Sequence, residues 1–163
     1  MKLLLVRYEC ASCAGTFEAP IVGPYTSCGT FLLRSSTGAA RYLDAFQDET
    51  YKEVGRLLKA HEKTSRLSDS GYGKALQRIY GEIACDGDAD GNPFIISAYP
   101  VCPVCKSQEM AYWEFKAPPE FIDVALEHVT HNKWNSLSED EKLRLLSKQL
   151  ESNPHRYGLP SKS

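Results

Sequence analysis

Two Cys-x-x-Cys doublets, Cys10-Ala11-Ser12-Cys13 and Cys102-Pro103-Val104-Cys105, constrain this chain more than any other feature of it. In such a turn the backbone curls so that both sulfurs face one centre, while the amides that follow donate hydrogen bonds to the thiolates. Two turns together supply four thiolates, the closed tetrahedral set of a structural zinc site. One doublet alone would be weak evidence, because redox sites share the spacing. Two, each leading into strand-like sequence, point to Cys10, Cys13, Cys102 and Cys105 as the ligands of one structural Zn2+. A soft thiolate set also suits an iron–sulfur centre, and unmetallated thiols or two separate sites are the plain alternatives. A closed site keeps no position for water, so catalysis by this metal is not expected.

The remaining composition places the chain among globular proteins. It has 163 residues, 42% hydrophobic and 25% charged, which is single-domain size and can bury a core without staples. With 19 Lys and Arg against 21 Asp and Glu the formal charge is −2. A coat for nucleic acid would carry a basic excess or stripe, so nucleic acid is not an expected partner. The apolar run Leu3-Leu4-Leu5-Val6 is cut off at once by Arg7 and Glu9. It is too short for a signal-peptide core or a membrane span and reads as a strand. A cytoplasmic location follows as an expectation, one in which doublets bind metal rather than oxidise. Cys28 and Cys85 have no spacing partner and read as small buried hydrophobes.

Along the chain, strands are expected at Leu3–Val6, Thr16–Glu18 and Thr30–Arg34, with a turn over Ser35–Gly38. Arg41–Phe46 fits strand or helix. Thr50, Val54, Leu57, Leu58 and His61 recur at helical spacing behind Asp48 as N-cap. Tyr72, Ala75, Leu76, Ile79, Tyr80 and Ile83 repeat the pattern, with Ser70 as candidate cap, and the two helices should form a hairpin. Phe94–Tyr99 and Met110–Lys116 read as strands, the second broken by Pro118-Pro119. Phe121–Val129 fits both periods; the strand reading pairs it back on the strand before it. Ser138-Glu139-Asp140-Glu141 is a capping box that opens a final helix carrying Leu143, Leu145, Leu146 and Leu150, ended by Asn153-Pro154.

The texture around the doublets resembles a zinc ribbon: Tyr8 two residues before the first pair, Phe17 four after it, and Cys-Pro-x-Cys followed by Lys106-Ser107. Two departures stand out. The pairs are separated by the 88 residues from Ala14 to Val101, against about 15–20 in a compact pair of pairs. Lys106 stands where ribbon knuckles favour Gly. The resemblance implies an α+β fold: a small antiparallel ribbon sheet with an inserted helical hairpin and a C-terminal helix. The expected organisation is one domain over residues 1–152, with ribbon halves at about 1–35 and 94–130, the insertion at about 38–85, the last helix at about 138–152 and a tail at 153–163.

Other motifs have bland readings beside the sharp ones. Asp86-Gly87-Asp88-Ala89-Asp90-Gly91 begins like a calcium loop, but Ser97 stands at its twelfth position, and a solvated turn is the better reading. His128, His131 and His155 have no carboxylate or nucleophile beside them in sequence to make an acid–base site. Trp113 and Trp134 read as core or interface anchors, Trp134 fixing the entry of the last helix.

No catalytic constellation and no basic surface point to a binding protein rather than an enzyme. The stretch from Val129 to Lys142, behind a ribbon-like knuckle and a Pro-Pro break, resembles a pattern of small bacterial proteins, some encoded beside secreted toxins. What that resemblance implies is an immunity protein, which covers the active site of a cognate toxin; acidic runs at Asp86–Asp90 or Glu139–Glu141 would suit a basic nuclease. The alternatives are a zinc-ribbon regulator bound to nucleic acid or to the transcription or translation machinery, and an enzyme using His128 or His131.

Overall fold

The computed structural model describes residues 1–24 and 28–152. The chain is α+β, with two small antiparallel sheets and four helices among the described residues. The first sheet is built around β1 (Lys2–Cys10), whose nine residues are long enough to serve two partners along one edge. β2 (Thr16–Ile21) pairs with the other edge, bringing Tyr8 opposite Phe17. β6 (Met110–Phe115) pairs with Val6–Cys10, and β7 (Phe121–Asp123) with Lys2–Leu4. The expectation that β7 folds back on β6 is therefore corrected. Both lie end to end on β1, and the residues between them stay attached through the Leu5 amide, which donates to the Glu120 carbonyl at 2.8 Å. The strand also stops at Asp123; the residues beyond it run on to a single bridge between His128 and Tyr42.

The second sheet has the order β4-β3-β5, from β3 (Thr30–Arg34), β4 (Ala40–Asp44) and β5 (Ile95–Ile96). Arg41–Phe46 thus resolves as strand up to Asp44. The strand expected over Phe94–Tyr99 shrinks to two residues, because Phe94 turns into the core and Ser97 takes a positive φ of 58°. Against this sheet pack α1 (Glu49–Ala60) and α2 (Asp69–Ala84) as a hairpin. Asp48 caps α1 by accepting from the Tyr51 amide at 2.7 Å. For α2 the cap is Ser68, accepting from Gly71, and not Ser70, which lies inside the helix. Gly81 is required on α2: a methyl there would run into the carbonyl of Phe94. The short α3 (Asn132–Asn135) was not foreseen; four residues leave no period to read. It buries Trp134, whose indole N–H donates to Glu53 at 2.7 Å. α4 (Glu139–Ser152) begins with the expected box: the Ser138 amide donates to the Glu141 carboxylate at 2.7 Å and the Glu141 amide to the Ser138 hydroxyl at 3.3 Å. The readings placed on His155, on Asn153-Pro154 and on the 153–163 tail lie outside the described residues.

The two sheets differ in what backs them. Nineteen buried residues from the second sheet, the helices and the connections between them make one core, centred on Leu33, Leu58, Ile79 and Tyr80. The first sheet has a separate cluster of four, Leu4, Val6, Tyr8 and Ala19. No helix among the described residues is long and apolar enough to cross a membrane.

Candidate metal centre

β1 and β6 are antiparallel neighbours, so the C-terminal end of one lies beside the start of the other, and Cys10 pairs with Met110. Each doublet hangs from this end of the sheet, and the 88 intervening residues leave and return without separating them. The four sulfurs all lie within 4.8 Å of one another. Cys10 Sγ is 3.5 Å from Cys105 Sγ, and Cys13 Sγ is 3.7 Å from Cys102 Sγ. A tetrahedron with Zn–S bonds of about 2.3 Å has edges of about 3.8 Å, so these separations fit a shared ion. They are far from the roughly 2.05 Å of a disulfide. The four cysteines predicted as ligands are thus brought together, and the donor set is the soft, closed kind that suits a structural metal.

The two turns are built alike, although their sequences share little beyond the cysteines. In each, the residue after the second cysteine returns its amide to the first: Ala14 to the Cys10 carbonyl at 2.9 Å, Lys106 to the Cys102 carbonyl at 3.0 Å. Both residues sit in the left-handed region, Ala14 at φ 55° and Lys106 at φ 64°. The amide of the first cysteine then closes the turn onto the second residue after the last cysteine, Cys10 to Gly15 at 3.0 Å and Cys102 to Ser107 at 2.8 Å. The preference for Gly at the position of Lys106 is thereby explained: a side chain there strains the backbone. Gly15 is equally constrained, since a methyl on it would sit 3.2 Å from the Cys13 sulfur.

The electrostatics of the cluster follow from amides aimed at sulfurs. Desolvation works to raise the Cys10 thiol, yet the amides of Ser12 and Cys13 and the neighbouring thiols bring it down to about 7. The amides of Cys105 and Val104 lower Cys102 against a desolvation that opposes them. Cys13 receives the Gly15 amide, which lowers it, but Cys105, desolvation and the other sulfurs drive it up to about 12. Four sulfurs this close cannot all carry charge unless a cation sits among them. Cys10 and Cys102 are buried and Cys13 and Cys105 exposed, which puts the cluster at the surface end of the sheet. Sequence reasoning missed the link between the turns, the Ser12 hydroxyl donating to the Ser107 hydroxyl at 2.9 Å. Nothing local to either serine marks it.

Comparison with protein-family models, with curated proteins and with solved structures finds no match.

The other candidate residues are accounted for elsewhere in the fold. Asp86 accepts from the Asn132 and Lys133 amides, both at 2.9 Å, capping α3, and Asp88 accepts from Thr37 at 2.7 Å and from the Asp90 and Asn92 amides. They serve two different loops, the work of turn residues. His131 is buried against Asp48: its Nε2 meets the carboxylate at 2.9 Å while its Nδ1 meets the Ala84 carbonyl at 2.7 Å. Facing two acceptors, both ring nitrogens are placed to donate, which favours the protonated ring. Burial opposes that charge, but Asp48 and the Ala84 carbonyl raise His131 above its ordinary value. Burial likewise opposes Asp48 as an anion, and His131, the Tyr51 amide and the Tyr80 hydroxyl hold it below its ordinary value. His128 lies 3.8 Å from the same carboxylate and accepts from the Asp44 amide at 3.4 Å. One reading is corrected and another narrowed. Cys28 is exposed, unlike the buried Cys85, and Trp113 is 43% exposed, which removes the core alternative for it and leaves the interface one.

Proposed function

We propose that the chain is a non-catalytic binding protein whose Cys10, Cys13, Cys102 and Cys105 hold one structural Zn2+. The observation that carries the metal reading is the convergence of four sulfurs from two turns of the same build. With four thiolates on one ion no ligand position is left for a substrate, so the metal would shape the sheet rather than react. Its binding free energy, on the order of 10 kcal/mol, would serve as folding free energy.

The partner we propose is another protein, in the immunity reading a cognate toxin, met in the cytoplasm of a bacterium. Support comes from the first sheet, where β6 and β7 expose Tyr112, Trp113, Phe115 and Phe121. Exposed aromatic side chains are the residues that most often anchor protein interfaces. Glu139 and Asp140 stand exposed at the start of α4 and would suit a basic toxin surface. Asp86 and Asp88 are spoken for within the fold and lend the idea less. Co-expression with the product of the adjacent gene tests the partner: rescue of growth and a co-purifying complex are expected, and failure of both counts against it. Elemental analysis tests the metal independently, with one zinc per chain expected and none in Cys102→Ser.

A further inference from the structure

Between the two sheets lies a cleft of about 420 Å³, within the roughly 300–1,000 Å³ of small-molecule sites. Ile21, Phe31 and Trp113 give it apolar walls, and Tyr8 and Tyr99 meet edge to face in it with ring centres 6.3 Å apart. Arg34 of β3 also lines it, although only 6% of that residue is exposed. Its guanidinium donates to the Ala98 carbonyl at 2.8 Å and to the Pro20 carbonyl, so it ties the second sheet to the first. No carboxylate among the described residues stands within ion-pairing distance of it.

That arrangement leaves a requirement unmet. A guanidinium has five N–H donors and keeps its charge at any ordinary pH. Two neutral carbonyls take two donors and cancel none of the charge, and a buried cation without a counter-charge is unfavourable. Around it stand phenols rather than acids: burial raises Tyr8, and the charge of Arg34 pulls it partly back, which places the two within electrostatic reach.

We propose that this cleft binds an organic carboxylate with an aromatic body, the carboxylate pairing with Arg34 and the ring lying among Phe31, Ile21 and Trp113. The planar, two-oxygen group matches a single guanidinium. A phosphate dianion fits less well, because Arg34 is the sole cation lining the cleft among the described residues. The Tyr8 and Tyr99 hydroxyls supply further donors to the carboxylate. The carboxylate can belong to a free acid or to the C-terminus of a peptide ending in an aromatic residue.

The test is isothermal titration of the full chain, as purified, with 3-phenylpropionate and with the tripeptide glycyl-glycyl-phenylalanine, each beside its primary amide. At least one acid should bind saturably, with its amide about tenfold weaker or worse, the loss of one charge-assisted bond. The free acid binding alone identifies a small-molecule site, and the peptide binding more tightly identifies C-terminal capture. Absence of saturable binding by both acids, or equal affinity for acid and amide, overturns the proposal. Arg34→Ala would untie the two sheets, so the decisive variants are others. Ile21→Trp fills the cleft and should weaken the acid at least tenfold; wild-type affinity in that folded variant overturns the proposal. Should it not fold, Tyr99→Phe at a half-exposed position should cost about fivefold, and no loss there overturns it as well.

Discussion

The half of the molecule that carries the cysteines and the half that carries the helices are held by different means. The helical half buries nineteen residues between the second sheet and its helices, and needs nothing else to explain it. The cysteine-bearing half has a packed cluster of only four, with Leu3, Cys10 and Cys102 buried outside it, and leaves much of β6 exposed. A sheet with so small a core is below the size at which hydrophobic burial alone suffices, and a metal is one of the usual remedies. The difference teaches why the two doublets sit where they do. They close the sheet at the end where its core gives out.

If the four cysteines hold the proposed zinc, the comparison breaks most sharply when that metal is removed. Cys102→Ser, at a fully buried ligand, should abolish zinc binding and remove on the order of 10 kcal/mol of coupling between metal and fold. Hydrogen exchange should then speed up by orders of magnitude in β1, β2 and β6 and much less in α1 and α2. Equal loss in both halves would show that the halves are not held separately. The converse change is Gly81→Ala, which forces α2 away from Phe94. It should destabilise the helical half by about 3 kcal/mol while the metal content stays that of the wild type, measured by urea unfolding and elemental analysis.

A smaller effect sharpens the account of the helical core. Removing the His131 partner in His131→Gln should cost about 2 kcal/mol near neutral pH. Two pH limits follow from the shifts. Asp48 sits below its ordinary value, so its share is complete above the unfolded carboxylate range and is lost as pH falls through the folded one. His131 sits above its ordinary 6.5, so its share is complete below that value and fades as pH rises through the folded one. The Asp86 charge adds to the pull on His131, and His128 lies 3.8 Å from the Asp48 carboxylate. The gap between wild type and variant should be widest from about pH 5 to 6.5 and narrow in alkali; a gap constant with pH would contradict the ion pair. The smallest effect belongs to the cysteine turns: Lys106→Gly should relieve the left-handed strain and raise stability by about 1 kcal/mol, seen as a higher melting temperature.

What could be read from the sequence was whatever is encoded over a few residues. The doublets, the Asp48 cap and the Ser138–Glu141 box are each complete within four positions, and each is found where the pattern places it. Apart from the meeting of the two doublets, pairings between distant segments were not legible. Nothing in Phe121–Asp123 says that its partner is the first strand rather than the previous one. His131 looked motif-free because its carboxylate lies 83 residues away. Trp113 could not be assigned to core or surface, because an alternating aromatic strand looks the same whether its faces are covered or bare. Arg34 carries no local mark at all; only the meeting of two sheets buries it.

X-ray absorption at the zinc edge, on protein whose metal content has been counted, tests the central claim most directly. One zinc per chain with four sulfur neighbours at about 2.3 Å is the predicted result. Metal-free protein that keeps β1 and β6 paired, or a shell in which nitrogen or oxygen replaces sulfur, would contradict it.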